Sequence, residues 1–122
     1  MFKRKGFSSL LIVLASCAVF AAAPALAADF PAGTYMDSGF TLSFDGNGHF
    51  RGSQKDTLKV EGDYAVSGDQ LKFTDTGGPW ACPAQQVGTY RWKSDGGALT
   101  FSKVSDACKD RVGSLTAHAW KK

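Results

Sequence analysis

The chain has few of the side chains that catalysis and metal binding use most often. Its 122 residues include two histidines, His49 and His118, and three cysteines, none of them in a Cys-x-x-Cys pair. The number and spacing of these histidines and cysteines do not match those of a typical zinc site. The sequence also lacks a phosphate-binding loop and a dinucleotide-binding fingerprint. We therefore predict no catalytic residues, no metal site and no cofactor.

The chain also lacks a net charge once its first residues are set aside. Lys3, Arg4 and Lys5 precede an apolar run over residues 7–20, and Ala25-Leu26-Ala27 follows. This order is typical of a secretory signal peptide, which we predict over residues 1–27 with cleavage after Ala27. The remaining residues 28–122 hold 11 basic and 11 acidic side chains and are formally neutral. Neutrality argues against a nucleic-acid partner.

The same apolar run contains a second processing signal. Leu14-Ala15-Ser16-Cys17 resembles the lipobox of bacterial lipoproteins, in which the cysteine is lipidated. The residues after Cys17 stay apolar, where a lipoprotein has a polar tether, so we favour cleavage after Ala27 and keep a lipid anchor as the alternative. Pro24 interrupts the run and no basic residues follow it, so we predict no membrane span. Both pathways place the single folded domain, residues 28–122, outside the cytoplasm. Cleavage after Ala27 predicts a periplasmic or secreted protein, and the alternative predicts a lipoprotein anchored through Cys17.

Two cysteines remain in that domain, Cys82 and Cys108. In an oxidising compartment an isolated pair in a small domain is most simply a disulfide. Such a bridge would stabilise the fold by about 3.5 kcal/mol through the entropy of the unfolded chain. A reactive or metal-bound thiol is the lesser alternative.

One sequence unit occurs three times. Its pattern is Gly-x-Tyr, a short turn, and Gly-x-x-Leu-x-Phe, and the copies span residues 33–44, 62–73 and 88–101. Polar and apolar residues alternate within each copy, which indicates strands with one buried face. Each copy therefore predicts a β-hairpin whose turn contains glycine.

The other segments complete a small all-β fold. A further strand is predicted near residues 48–52, Gly62 marks a bulge in a long strand, and residues 115–120 form a closing strand. Residues 106–112 form one short helix, which Ser105 or Asp106 caps and Gly113 ends. We predict an antiparallel meander of seven or eight strands with one helix near 105–113. Such a meander buries its apolar face by closing into a barrel.

The repeated hairpins resemble those of small exported bacterial domains of the lipocalin-like, calycin-type class. The resemblance covers most of residues 34–120, and Gly33-Thr-Tyr35 stands where lipocalins have Gly-x-Trp. It implies a cup-shaped barrel that holds a small apolar ligand.

The alternation also predicts which side chains point inward. The inward set is Leu42, Phe44, Val60, Tyr64, Leu71, Phe73, Tyr90, Trp92, Leu99 and Phe101. Most of these form a core in any barrel, and the candidates for ligand contact are Tyr64, Phe73, Tyr90, Trp92 and Phe101. Trp80, on a loop near Cys82, either covers the barrel mouth or plugs its closed end, and we favour the plug. Arg111 either pairs with Asp106 or Asp110 or binds a ligand carboxylate.

Two functions fit this fold. The first is an exported, non-catalytic binding module for a small hydrophobic or amphipathic ligand. The second is an envelope protein-interaction barrel, such as a hydrolase inhibitor. An open cavity would favour the first function, and a packed interior with an exposed apolar patch on residues 77–86 would favour the second. We expect a monomer in both cases.

Overall fold

The computed structural model describes residues 29–122. The predicted signal peptide, residues 1–27, and the alternative lipidation site Cys17 lie outside the described residues. Eight strands and one helix follow in chain order: β1 Gly33–Asp37, β2 Phe40–Phe44, β3 His49–Gln54, β4 Thr57–Ser67, β5 Gln70–Gly77, β6 Gly88–Asp95, β7 Ala98–Ser105, α1 Lys109–Thr116 and β8 Trp120–Lys121.

The strands form a closed antiparallel barrel in which each strand pairs with its neighbour in the chain. The short β8 closes the barrel, because Lys121 pairs with Met36 of β1 and Trp120 pairs with Leu99 of β7. The predicted all-β meander barrel with one helix is confirmed. Among residues 29–122, no helix has the length and apolar character that crossing a membrane requires.

The repeated unit forms the hairpins β1–β2, β4–β5 and β6–β7, and its glycines have two different functions. The second glycine of each copy lies in the hairpin turn with a positive φ, as in Gly39 at 82° and Gly96 at 59°. The first glycine makes room for a neighbour. A Cβ on Gly62 would lie 2.8 Å from Phe50 Cε1, at the predicted bulge where the register of β4 and β5 shifts.

The tyrosine of each copy ties a segment outside the hairpin to the barrel. Tyr35 donates its hydroxyl proton to the Pro31 carbonyl at 2.6 Å. The Tyr64 hydroxyl accepts the Gly46 N–H at 3.1 Å. Tyr90 donates to Asp106, just before the helix. These three hydroxyls satisfy the hydrogen bonding that buried phenols require.

The core lies inside the barrel and is largely aromatic. Eight of the ten predicted inward residues are buried, and Val60 and Trp92 are half-buried against that core. The core also contains four buried residues that the alternation did not predict: Tyr35, Phe50, Leu115 and Trp120. Trp120 donates its indole N–H to the Leu115 carbonyl at 3.2 Å, which joins β8 to the helix.

The helix lies further along the chain than expected. It spans Lys109–Thr116, follows Cys108 as its N-cap, and contains Gly113 rather than ending there. Asp106 does not cap it, although its Oδ1 accepts the Cys108 N–H at 2.9 Å. The predicted closing strand over residues 115–120 is correspondingly reduced to Trp120–Lys121, because Leu115 packs into the core from the helix.

Candidate functional site

The two ends of the barrel differ in how they are filled. At one end Phe30, from the segment before β1, packs against three rings of the barrel. Its ring centroid lies 4.9 Å from that of Phe44, 5.3 Å from Trp92 and 5.6 Å from Tyr64. The contacts with Phe44 and Trp92 are edge-to-face and the contact with Tyr64 is tilted, and such ring contacts stabilise aromatic cores. Phe30 therefore closes this end of the barrel with aromatic side chains.

The opposite end contains a cavity of about 630 Å³ between the barrel, the loop after β5 and helix α1. Its apolar lining residues are Phe40, Leu42, Phe50, Val60, Phe73, Trp80, Leu115 and Trp120. Four charged residues also line it: Asp75, Lys109, Asp110 and Arg111. The barrel is thus neither fully packed nor hollow throughout.

Trp80 lies at the mouth of this cavity, with half of its surface exposed. Its ring stacks on Phe40 at a centroid distance of 5.8 Å and an interplanar angle of 9°. The Lys59 ammonium lies 5.1 Å from the Trp80 ring, and the backbone N–H of Trp80 donates to the Lys59 carbonyl at 2.9 Å. Trp80 therefore covers part of the mouth and does not plug the closed end, which corrects the interpretation favoured from the sequence.

The predicted disulfide between Cys82 and Cys108 is present, with an S–S distance of 2.03 Å. It joins the loop that contains Trp80 to the residue directly before helix α1. Gly78 holds the start of this loop against β4, because a Cβ there would lie 2.8 Å from Val60 Cα. One wall of the cavity is consequently fixed covalently to the helix that forms the next wall.

Arg111 brings a positive charge into this apolar end. Its Nε donates to Asp106 Oδ2 at 2.7 Å and its Nη2 donates to Asp106 Oδ1 at 2.9 Å. This bidentate geometry is the strongest form of the Arg–carboxylate pair. Nη2 also donates to the Gln86 carbonyl, which links the loop after β5 to the helix. The predicted Arg111–Asp106 pair is confirmed, and Arg111 also lines the cavity.

A second carboxylate faces the same guanidinium. Asp75 Oδ1 lies 3.2 Å from Arg111 Nη1, and Asp75 Oδ2 accepts the Cys82 N–H at 2.7 Å. Both residues line the cavity while their exposed fractions are only 3% for Asp75 and 8% for Arg111. Although these two atoms are close, their geometry is not that of a hydrogen bond, and neither has a hydrogen-bond partner within residues 29–122.

Burial and neighbouring charges shift the pKa values of Asp106, Tyr90 and Arg111. Burial alone would raise the pKa of Asp106, but hydrogen bonds from Arg111, Tyr90 and the Cys108 N–H outweigh it and lower that pKa. Burial, together with the hydrogen bond to Asp106, raises the pKa of the Tyr90 phenol. Burial lowers and the two carboxylates raise the pKa of Arg111, and the net shift is upward. At neutral pH Asp106 is therefore a carboxylate, Arg111 a cation and Tyr90 a neutral phenol.

The structure separates the five residues predicted to contact a ligand. Phe73 lines the 630 Å³ cavity. Tyr64 lines a smaller pocket of about 340 Å³ beside Phe30, at the other end of the barrel. Tyr90 and Phe101 are buried in the core, and the Trp92 indole donates to the Gly68 carbonyl at 3.1 Å. These last three residues line neither pocket.

The histidines lie on the surface, away from the cavity. His118 Nδ1 is 3.2 Å from Asp37 Oδ2, and His49 lies 3.9 Å from the carboxylates of both Asp45 and Asp63. In the described part of the chain, no group of three or more His, Cys, Asp or Glu side chains is arranged to hold a metal ion.

Sequence reasoning missed Asp75, and a signal for it exists in the sequence. In β5 the inward residues Leu71 and Phe73 are two positions apart, and Asp75 continues the same alternation. A carboxylate at an inward position of a strand indicates a buried polar partner, here Arg111. The open cavity and this buried pair are the features from which a function can be argued. A comparison of the chain with protein-family models, with curated proteins and with solved structures finds no match.

Proposed function

We propose that this protein is an exported, non-catalytic binding barrel of the lipocalin-like kind, which holds one small amphipathic molecule in the cavity beneath Trp80. The observation that carries this proposal is the cavity itself, about 630 Å³ in volume and open beside a half-exposed tryptophan. Sites for small molecules are typically concave, mostly apolar and roughly 300–1,000 Å³ in volume.

The composition of the walls supports an amphipathic ligand rather than a purely polar one. Eight aromatic and aliphatic side chains line an interior whose buried charged residues are Asp75 and Arg111. An apolar ligand body would gain about 25 cal/mol for each Å² that it removes from water.

The disulfide supports the export part of the proposal. Bridges such as Cys82–Cys108 persist in oxidising compartments and are rare in the cytosol. Together with the predicted signal peptide, residues 1–27, this favours a periplasmic or secreted protein. Lipidation at Cys17 is the alternative, and the intact mass of the protein from its own host distinguishes a cleaved chain from a lipidated one.

Binding is tested with an uncharged fluorescent probe, N-phenyl-1-naphthylamine, and two matched variants. Ser114 is exposed on helix α1 and lines the cavity, so Ser114→Phe places a ring across the mouth. Ser102 is an exposed residue of β7 outside the cavity, and Ser102→Phe is the control. We expect wild type and Ser102→Phe to enhance probe fluorescence equally. Ser114→Phe should lose most of this enhancement. Equal fluorescence from all three proteins would contradict the proposal.

The exposed loop supports a second candidate, a barrel that binds an envelope hydrolase. Trp80 and Val87 are both exposed on the loop after β5, and tryptophan is enriched among the residues that dominate protein interfaces. In a panel of purified envelope hydrolases, inhibition that Trp80→Ala abolishes and Ser114→Phe preserves would support this candidate. If wild type inhibits no hydrolase in the panel while Ser114→Phe loses probe binding, the small-molecule site is supported instead.

A further inference from the structure

The cavity is shallow, because only the outermost inward-facing residues of the barrel strands line it. In β2, Phe40 and Leu42 line the cavity, while Phe44 lies below it in the core. In β5, Phe73 lines the cavity, while Leu71, two positions further in, does not. No residue of the described strands β6 and β7 lines it. The Phe73 ring therefore forms the floor of the cavity.

Aromatic side chains fill the barrel beneath this floor. The Phe73 ring packs on three others, with centroid distances of 5.7 Å to Tyr90, 5.8 Å to Phe101 and 6.1 Å to Phe44. Phe30 closes the far end of the barrel beyond them. Because a packed interior has no free space for a ligand, a molecule that enters at the mouth reaches no further than Phe73.

Strand geometry gives the depth of the cavity. The four residues that follow Phe73 to the end of β5 at Gly77 rise about 3.3 Å each, or about 13 Å together. Barrel strands tilt by about 40° from the barrel axis, so this length corresponds to a depth of about 10 Å. A volume of about 630 Å³ over that depth corresponds to a width of about 8–9 Å. The cavity is thus about as wide as it is deep.

Much of the apolar lining is aromatic. Five aromatic side chains line the cavity: Phe40, Phe50, Phe73, Trp80 and Trp120. The Phe40 ring stacks on Trp80 and meets the Trp120 ring edge to face at a centroid distance of 5.9 Å, so the aromatic lining is continuous near the mouth. Contacts between aromatic rings stabilise a complex beyond the area that they bury, and an alkyl chain makes no such contacts.

The charged residues of the lining do not distinguish one ligand body from another. They are two acidic and two basic side chains: Asp75, Asp110, Lys109 and Arg111. Arg111 is buried in the wall and pairs there with Asp75, and with Asp106 behind it. Lys109 and Asp110 are exposed on the first turn of helix α1. Shape and aromatic lining are therefore the features that separate a ring from a chain.

The walls are held in this shape by contacts within the fold. The Cys82–Cys108 disulfide fixes the loop after β5 to the start of helix α1. Arg111, on that helix, donates to the Gln86 carbonyl of the same loop. Since both walls are fixed before a ligand arrives, the ligand must match the cavity rather than reshape it.

An extended alkyl chain matches such a cavity poorly. It advances about 1.2 Å per bond, so about eight carbons already span a depth of about 10 Å, and the chain fills only part of the width. A fused ring system fills the width and loses few internal rotations on binding. We propose that the cavity selects compact amphipathic molecules with a body of two or three fused rings over molecules with a long alkyl chain. The rings lie between Phe73 and Trp80, and the polar group lies at the mouth. This inference rests on the proposed binding function and specifies the class of the ligand.

The first test compares a ring with a chain. Naphthalen-2-ylmethanol and undecan-1-ol have the same number of carbons and the same primary hydroxyl, and each displaces N-phenyl-1-naphthylamine from wild-type protein at neutral pH. Undecan-1-ol is the more apolar of the two, so transfer from water alone would favour it. We expect naphthalen-2-ylmethanol to bind about tenfold more tightly, a ratio that corresponds to about 1.4 kcal/mol.

The second test measures the depth with hexan-1-ol, octan-1-ol, decan-1-ol and dodecan-1-ol. Each methylene that becomes buried strengthens binding by about fourfold. We expect this gain up to about eight carbons and a plateau beyond them, because Phe73 stops the chain. Phe73→Leu should move the plateau to a longer chain. Phe44→Leu is the control, because it makes the same change at a core residue that does not line the cavity. If Phe73→Leu does not fold, the affinities measured on wild type still decide the proposal.

The outcomes separate this inference from the function on which it rests. If undecan-1-ol binds as tightly as naphthalen-2-ylmethanol, or if affinity rises steadily through dodecan-1-ol, the ring selection is overturned while the binding function stands. The ring selection is also overturned if the naphthylamine binds and none of the alcohols displaces it. A plateau that Phe73→Leu and Phe44→Leu affect equally overturns the assignment of Phe73 as the floor. If neither the naphthylamine nor any alcohol binds, by fluorescence or by calorimetry, the binding function itself is overturned.

Discussion

Arg111 is the residue on which the polar contacts at the open end of the barrel converge. It joins the segment before helix α1, through Asp106, to β5, through Asp75, and to the loop after β5, through the Gln86 carbonyl. Gly88 allows this convergence, because a Cβ there would lie 2.9 Å from Arg111 Nε. A single guanidinium thus connects helix α1 and the segment before it to β5 and the loop that follows β5.

Loss of a carboxylate that pairs with Arg111 should lower the free energy of unfolding. Removing one member of a buried ion pair costs about 3–5 kcal/mol. In Asp106→Asn the buried Arg111 loses its bidentate carboxylate and keeps only Asp75. The Asp106 side chain is fully buried against Arg111, so we expect Asp106→Asn to lower the free energy of unfolding by an amount in that range. Urea denaturation measures it, with Asp69→Asn as the surface control. A loss equal to that of the control would contradict this assignment.

The lowered pKa of Asp106 also predicts an acid dependence. A carboxyl whose folded pKa is below its unfolded value of about 3.9 stabilises the fold above that pH, and the stabilisation is lost as the pH falls through the folded pKa. We therefore expect the stability difference between wild type and Asp106→Asn to be constant above about pH 5 and to shrink below about pH 4. Urea midpoints measured across this range test the prediction, and a difference that grows on acidification would refute it.

Individual residues were predictable from the sequence to different degrees. The inward leucines and phenylalanines followed from alternation, because a barrel strand buries every second residue. The hydrogen-bond partners of Tyr35, Tyr64 and Tyr90 did not, because each partner lies outside the repeated unit. The position of Trp80 depends on a stacking contact with Phe40, forty residues away in the chain, and loop sequence alone does not encode such a contact.

A glycine in the hairpins and a glycine in the helix differ in how much space surrounds them. Gly62 lies where β4 passes close to β5 and Phe50, whereas Gly113 is exposed within helix α1 with open space around its Cα. A side chain at the first position must displace neighbours, while at the second it only restricts the unfolded chain.

These two glycines give a matched test at the level of elements. We expect Gly62→Ala to destabilise the protein by about 1–3 kcal/mol or more through overpacking. We expect Gly113→Ala to stabilise it by about 0.5–1 kcal/mol through helix propensity. Thermal unfolding of the two variants measures both effects, and a Gly62→Ala protein as stable as wild type would show that β4 and β5 can separate without cost.

The hairpins were predictable as elements, but the segment after β7 was not. Turn glycines and period-two alternation mark a hairpin locally. The start of helix α1 is fixed at Cys108 by the disulfide and by the Asp106 carboxylate, and its end reflects the burial of Leu115. These are tertiary interactions, which is why the predicted helix began too early and the predicted closing strand was too long.

For the whole molecule, the disulfide bridges the largest irregular region. It spans a sequence separation of 26 and joins the loop after β5 to the start of the helix. We expect the double substitution Cys82→Ser and Cys108→Ser to lower the free energy of unfolding by about 3.5 kcal/mol. Urea denaturation with and without reductant tests this value. Reductant should lower the midpoint of wild type but not that of the variant, and equal sensitivity of both proteins would contradict the assignment.

Closure of the barrel was predictable, but the division of its interior was not. Eight amphipathic strands close because closure removes exposed edges. Whether side chains fill an eight-stranded barrel depends on the summed volume of residues from every strand and from the segments that cover its ends. Here Phe30 fills one end and the loop after β5 leaves space at the other. Neither contribution is visible in a strand pattern.

The aromatic closure around Phe30 has a kinetic consequence. Since Phe30 packs at that end, a molecule in the cavity arrives and departs through the opposite end, whose mouth Trp80 partly covers. Any barrier that the indole adds to the passage slows association and dissociation by the same factor and leaves the equilibrium constant unchanged. The stacking of Trp80 on Phe40 would then lengthen the residence time of a ligand beyond what its affinity for the interior alone gives.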